Sequence, residues 1–105
     1  MAITTQCFLI AFHYPKPEHR AEMVDRLNHA ARVIAGVAGC LDAGCWEDGP
    51  SGAVVATGRF ESDVVWRRAL AAVAAANVDF DFDSRESRPR DVYALTEPSP
   101  SRPSR

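Results

Sequence analysis

From Cys7 to Tyr14 the chain reads Cys-Phe-Leu-Ile-Ala-Phe-His-Tyr, a run of strand formers too short for a buried helix before the Pro15-Lys16-Pro17 break. Alternation along a strand puts Phe8, Ile10, Phe12 and Tyr14 on one face and Cys7, Leu9, Ala11 and His13 on the other. The face of large residues is expected to pack beneath helices. Pro17 and Glu18 suit the first turn of a helix, where a missing N–H costs nothing and an acid meets the positive end of the dipole. Val24, Leu27, Ala31 and Ile34 then recur at helical spacing as far as about Ala35, while Arg20, Glu22, Asp25 and Arg26 take the other faces. Gly36 and Gly39 mark the exit, since glycine tolerates the backbone of a C-terminal cap.

Leu41 to Glu47 and Ala53 to Glu61 read as two strands. The loop between them, Asp48-Gly49-Pro50-Ser51-Gly52, has hairpin chemistry, so the pair is expected to be antiparallel. Ser62 can cap a second helix running to about Ala76, with Trp66, Leu70 and Val73 on its apolar face and Asn77 as its end. Val78 to Pro89 is a polar connection without a clear period, with Phe80 and Phe82 as the candidates for a lid. Asp91 to Thr96 reads as a last strand. The resulting order βαββαβ predicts a ferredoxin-like α+β domain: a four-stranded antiparallel sheet with both helices on one face. The other face then needs cover. Leaving Leu9, Ala11, Val55 and Tyr93 in water would expose a contiguous apolar patch, so a homodimer through the open sheet face is expected. Trp46 is a candidate anchor of that interface. One domain is expected over 1–97, followed by a disordered Pro/Ser/Arg tail over 98–105.

Composition adds mainly exclusions. With 105 residues the chain can bury a core without disulfides or metals. A formal charge of -2, with the Arg residues spread over helices, strand, loop and tail, gives no basic field for nucleic acid. No apolar run approaches the roughly 20 residues that span a bilayer, and the start lacks a secretory pattern, so no membrane partner and a cytoplasmic location are expected. Three cysteines, Cys7, Cys40 and Cys45, match no CxxC spacing and read as reduced thiols. His13, His19 and His29 do not converge with a carboxylate, so no metal is expected. Asp79, Asp81 and Asp83 imitate the opening of a calcium loop, but Ser84 stands where glycine is required and Arg90 where glutamate is. No Ser-His-Asp, Cys-His or phosphate-cradling glycine pattern is present.

Three segments in order, Phe12-His-Tyr-Pro-Lys-Pro-Glu18, Ala38-Gly-Cys-Leu41 and Phe60-Glu-Ser-Asp-Val-Val-Trp66, resemble the antibiotic-biosynthesis-monooxygenase family. The resemblance spans roughly residues 6 to 97. It implies the dimeric α/β barrel fold, with a ligand cavity in each protomer between sheet and helices. It further implies a cofactor-independent monooxygenase acting on an aromatic or quinol-like molecule, with no cofactor. The family's polyphenol oxygenases carry Asn where this chain has Ala56, Trp where it has Phe60, and Tyr where it has Trp66. Haem-degrading relatives carry an Asn on strand one, where Ile10 stands here, and a His late in helix two, which is missing between Ala69 and Asp83. Loss of the amide and of the strand-three Trp keeps open the alternative of a non-catalytic dimeric binding or accessory protein. Within the expected cleft, Tyr14 is the candidate hydrogen-bonding or proton-donating phenol and Trp66 the candidate stacking partner. Ile10, Phe12, Phe60 and Asn77 are the candidate substrate contacts.

Overall fold

The computed structural model describes residues 5–78 and 83–98; the lid candidates Phe80 and Phe82 and the tail from 99 onward lie outside them. The elements follow in the expected order: β1 (Cys7–His13), α1 (Arg20–Ala35), β2 (Cys40–Glu47), β3 (Val54–Phe60), α2 (Asp63–Ala75) and β4 (Asp91–Thr96). Pro17–His19 form a 3-10 turn that feeds α1. The strands make one four-stranded antiparallel sheet in the order β2-β3-β1-β4. This is the ferredoxin-like α+β fold.

The β2–β3 hairpin closes as its sequence requires. Ala53 O accepts from Asp48 N at 2.9 Å, Asp48 O accepts from Gly52 N at 2.8 Å, and the Ser51 hydroxyl donates to Asp48 Oδ2. Leu41 is the extra residue of a β-bulge, since the register with β3 shifts between Cys40 and Asp42. Ser62 occupies the N-cap of α2 in extended conformation but makes no side-chain cap hydrogen bond.

Register assigns the faces and corrects the sequence reading. His13 lies opposite Val54, Ala11 opposite Ala56 and Cys7 opposite Phe60, and residues directly opposite in a sheet share a face. Val54 packs with Met23 and Leu27 of α1, and Phe60 packs with Val65 and Ala69 of α2. The small-residue face, Cys7, Leu9, Ala11 and His13, is therefore the one beneath the helices. Phe8, Ile10 and Phe12 lie on the opposite, open face, together with Val55, Tyr93, Leu95 and Trp46, which pair with them or with each other. Leu9 and Ala11 thus leave the open face, whereas Val55 and Tyr93 belong to it. The physical reason is volume. Leu27 and Phe60, both fully buried, take up much of the layer between sheet and helices, and a row of Phe and Ile from β1 on the same side would overpack it. Gly58 shows how tight the fit is, because a Cβ there would meet Phe60 Cζ at 2.7 Å.

Gly39 carries the turn from α1 into β2. Its φ is +94°, and a Cβ would stand 2.6 Å from Val65 Cγ2 at the start of α2. Its carbonyl accepts from Glu61 N at 3.0 Å, which ties this turn to the end of β3. Gly39→Ala is expected to destabilise the fold by about 1–3 kcal/mol from crowding alone, with backbone strain adding to it. Urea denaturation beside wild type checks the value.

Candidate functional site

Between the helices and the sheet lies a cavity of about 160 Å³. Leu9 and Ala11 of β1, Ala56 of β3, Leu27, Ala30 and Ile34 of α1, and Leu70 of α2 make most of its wall. Its polar side chains are His13 and Arg90; Thr57 also borders it, but its hydroxyl accepts from Trp46 Nε1 on the open face. The small side chains of β1 and β3 leave this space open beneath α1. An apolar body with a few placed polar groups is the usual make-up of a small-molecule site.

His13 ends β1 at one side of the cavity and is only 2 % exposed. Its Nδ1 is buried without a hydrogen-bond partner among the described residues. Glu86, also buried, brings Oε1 to 3.8 Å from that nitrogen. Arg90 Nη2 stands 3.9 Å from Glu86 Oε2. Backbone pairing holds this arrangement: Tyr14 O accepts from Ser87 N at 2.8 Å, Arg85 O accepts from Lys16 N at 2.9 Å, and Pro15 and Glu86 form an isolated antiparallel bridge. Glu86 Oε1 also accepts from Tyr14 N at 3.2 Å. Burial, then the Arg90 and Arg26 guanidinium groups, push the His13 pKa down from 6.5 to about 4. His13 is therefore neutral at physiological pH, able to accept a proton or a hydrogen bond in an otherwise apolar space.

The sequence-predicted residues lie elsewhere. Tyr14 continues the open-face parity, and its hydroxyl donates to Asp91 Oδ2 at 2.6 Å beneath the Arg88 guanidinium, 4.1 Å from the ring centroid. The hydrogen bond to Asp91 raises the phenol pKa, followed by partial burial. Its side chain anchors the segment before β4 and does not line the cavity. Ile10 and Phe12 are on the open face as well, Phe12 making an edge contact with Tyr93 at 6.3 Å between centroids. Phe60 faces the helices but is packed solid in the core. Trp66 lies against that same cluster and borders a small crevice with Phe60, Leu9 and Ala94 instead of the cavity. Asn77 is exposed with φ +59°, a left-handed residue closing α2.

Sequence reasoning missed His13, Glu86 and Arg90. His13 had one signal, being the sole polar residue on the small-residue face of β1. Glu86 and Arg90 had none, because both sit in a polar stretch whose pairing with Tyr14 and Pro15 is long-range.

No family model matches the chain, and neither does any curated protein. Solved structures do share its architecture. Rv0793 from Mycobacterium tuberculosis superposes with a TM-score of 0.78 at 18% identity, over 92% of this chain and 99% of that one. PA3566 from Pseudomonas aeruginosa gives 0.74 at 16% identity, over 94% and 100%. A Caulobacter crescentus protein, provisionally assigned as an antibiotic biosynthesis monooxygenase, gives 0.67 at 18% identity, over 92% and 93%. The resemblance read in the sequence extends to the fold. At these identities the likeness is one of architecture, and the activity has to be argued from this chain's own site.

The His13 environment carries a stability consequence. The unfolded imidazole takes up its proton near pH 6.5 and the folded one only near 4, so between those values the unfolded state binds more protons and stability rises with pH. As pH falls through this window the protein is expected to lose about 1–3 kcal/mol, and His13→Gln, which cannot titrate, is expected to lack this component. The Asp83 carboxyl, held down to about 2 chiefly by its hydrogen bonds with Arg85, contributes its loss at lower pH. Urea midpoints of both proteins from pH 7 to pH 4 separate the two.

Proposed function

We propose that this chain is a monooxygenase that binds a small aromatic or quinol-like molecule in the cavity between sheet and helices and works as a homodimer through the open sheet face. The observation that carries the reading is the apolar cavity ending in a buried, neutral imidazole. A phenolic substrate places its ring among Leu9, Leu27, Ile34 and Leu70 and its hydroxyl at His13. The proton moves to the imidazole as the phenolate forms. The imidazolium that forms has the phenolate on one side and Glu86 Oε1 3.8 Å from Nδ1 on the other, so each new charge has an opposite one nearby.

Electron-rich phenolate carbon reacts with O2 to give a carbon–oxygen bond and a hydroperoxide. The ring C–H proton is then lost as the O–O bond breaks, leaving a carbonyl and releasing water. One oxygen atom enters the product and the other leaves as water, and the substrate supplies every electron, so this chemistry needs no cofactor. His13 is the general base; bases matched to the working pH contribute about 10²–10⁴-fold, and a His13 pKa of about 4 puts its share at the low end. The nearly all-apolar lining, with Tyr14 outside it, favours a second reading, an accessory binder of the same molecules.

Oxygen uptake by the metal-stripped protein, with a panel of hydroquinones and polycyclic phenols, separates the two. Uptake above the buffer rate is expected, falling about 100-fold or more in His13→Gln and little changed in Tyr14→Phe. Binding without uptake selects the accessory reading.

The dimer is supported by the open face itself. Trp46 is 58% exposed, and Tyr93 and Leu95 are each 50% exposed beside Phe8, Ile10 and Phe12. A continuous apolar patch of this kind is characteristic of an interface. Ile10 lies between Thr57 and Tyr93 in the sheet. Sedimentation equilibrium is expected to return twice the chain's 11.5 kDa for wild type and the single-chain mass for Ile10→Asp.

A further inference from the structure

The geometry points to Glu86 as a positioning residue that fixes the tautomer of His13, keeping the proton on Nδ1 and leaving Nε2 as the acceptor that meets the ligand. This rests on the reading of the cavity as the binding site. Glu86 Oε1 lies 3.8 Å from His13 Nδ1, too far for a hydrogen bond but close enough for their electrostatics to matter. A carboxylate offers only lone pairs. An N–H dipole pointing at it is attracted, whereas a nitrogen lone pair in the same place is repelled, and at 2 % exposure no water offsets the difference.

The other charges around the ring do not compete for that role. Arg90 faces the far oxygen of Glu86 at 3.9 Å, and Arg26 on α1 is engaged with Glu22 at 3.4 Å. Both are donors and neither can accept a proton from Nδ1. The backbone bridge to Pro15 fixes where Glu86 stands, and its Oε1 accepts from Tyr14 N at 3.2 Å, a bond that is lost if the carboxylate swings away from the ring. Nothing else among the described residues bonds to Nδ1.

The consequence is chemical selectivity. With the lone pair on Nε2, His13 offers the ligand an acceptor and no donor, while the neighbouring Arg90 guanidinium is turned to Glu86. Ligands bearing a hydroxyl, such as phenols and enols, satisfy it; ethers and ketones of the same shape leave a buried acceptor opposite their own lone pairs. A site built to pair with a hydroxyl rejects the analogue lacking one far more strongly than apolar contact alone allows.

Nitrogen-15 NMR of the imidazole in the unliganded protein tests the assignment without relying on turnover. The Nδ1–H form is expected to dominate in wild type. It should persist in Glu86→Gln, which keeps an oxygen beside the ring, and give way to the Nε2–H form favoured by free imidazole in Glu86→Met. Naphthol is expected to bind at least about tenfold tighter than methoxynaphthalene, with that preference lost in Glu86→Met. In turnover, Glu86→Met should lower kcat by more than about tenfold and raise KM for hydroxyl-bearing substrates in step with the lost binding preference. A wild-type Nε2–H form, or equal binding of the two naphthalenes, would overturn the inference even if oxygen uptake were found. Absent uptake with the Nδ1–H form and the hydroxyl preference both present would leave it standing and remove the monooxygenase reading instead.

Discussion

Burying a carboxylate costs several kcal/mol unless donors meet it, and Glu86 is 4% exposed. The donors it finds, Tyr14 N and the Arg90 guanidinium, belong to the two segments that must meet if β4 is to join the sheet beside β1. One buried acid thus joins the end of the first strand to the approach of the last. The backbone bonds from Ser87 to Tyr14 and from Lys16 to Arg85 complete the seam. The polar end of the cavity is a by-product of this seam, since the residue just before it on β1 is His13.

Strand β1 has no polar face to tell the chain which side is outside. Every residue from Cys7 to Phe12 is apolar, so alternation places side chains in two sets without orienting either. Side-chain size suggests that the larger set is inside, and the structure reverses this because Leu27 and Phe60, inserted from helix and neighbouring strand, take up much of the interior. Small residues on β1 and β3 then leave the space that becomes the cavity. The same inversion sends the aromatic row of β1 to the open side, where Trp46 and Tyr93 extend it.

Element order, the antiparallel hairpin and the two-helix layer were legible in the sequence, because each rests on local chemistry: the proline turn before α1, the Asp48–Gly52 loop, the helical spacing of Val24, Leu27, Ala31 and Ile34. The site was much less so. Tyr14 and Trp66 drew attention as aromatics at family-like positions, yet one braces the segment before β4 and the other packs against Phe60. His13 was legible only as a polar residue on the wrong-looking face. Glu86 and Arg90 acquire meaning through contacts more than seventy positions from β1, which no local pattern encodes.

The chain has two tryptophans, and the fold sends them to different places. Trp46 stands on the open face, its indole N–H bonded to Thr57 Oγ1 at 2.8 Å. Trp66 is half-buried on the helix side, against the cluster formed by Phe60, Val65 and Ala69. One indole emits from a solvent-facing surface and the other from a packed layer, so the molecule carries a separate native fluorophore for each side of its sheet. Events on the two sides, assembly on one and changes in the helix layer on the other, are therefore separable by colour in a single unlabelled sample.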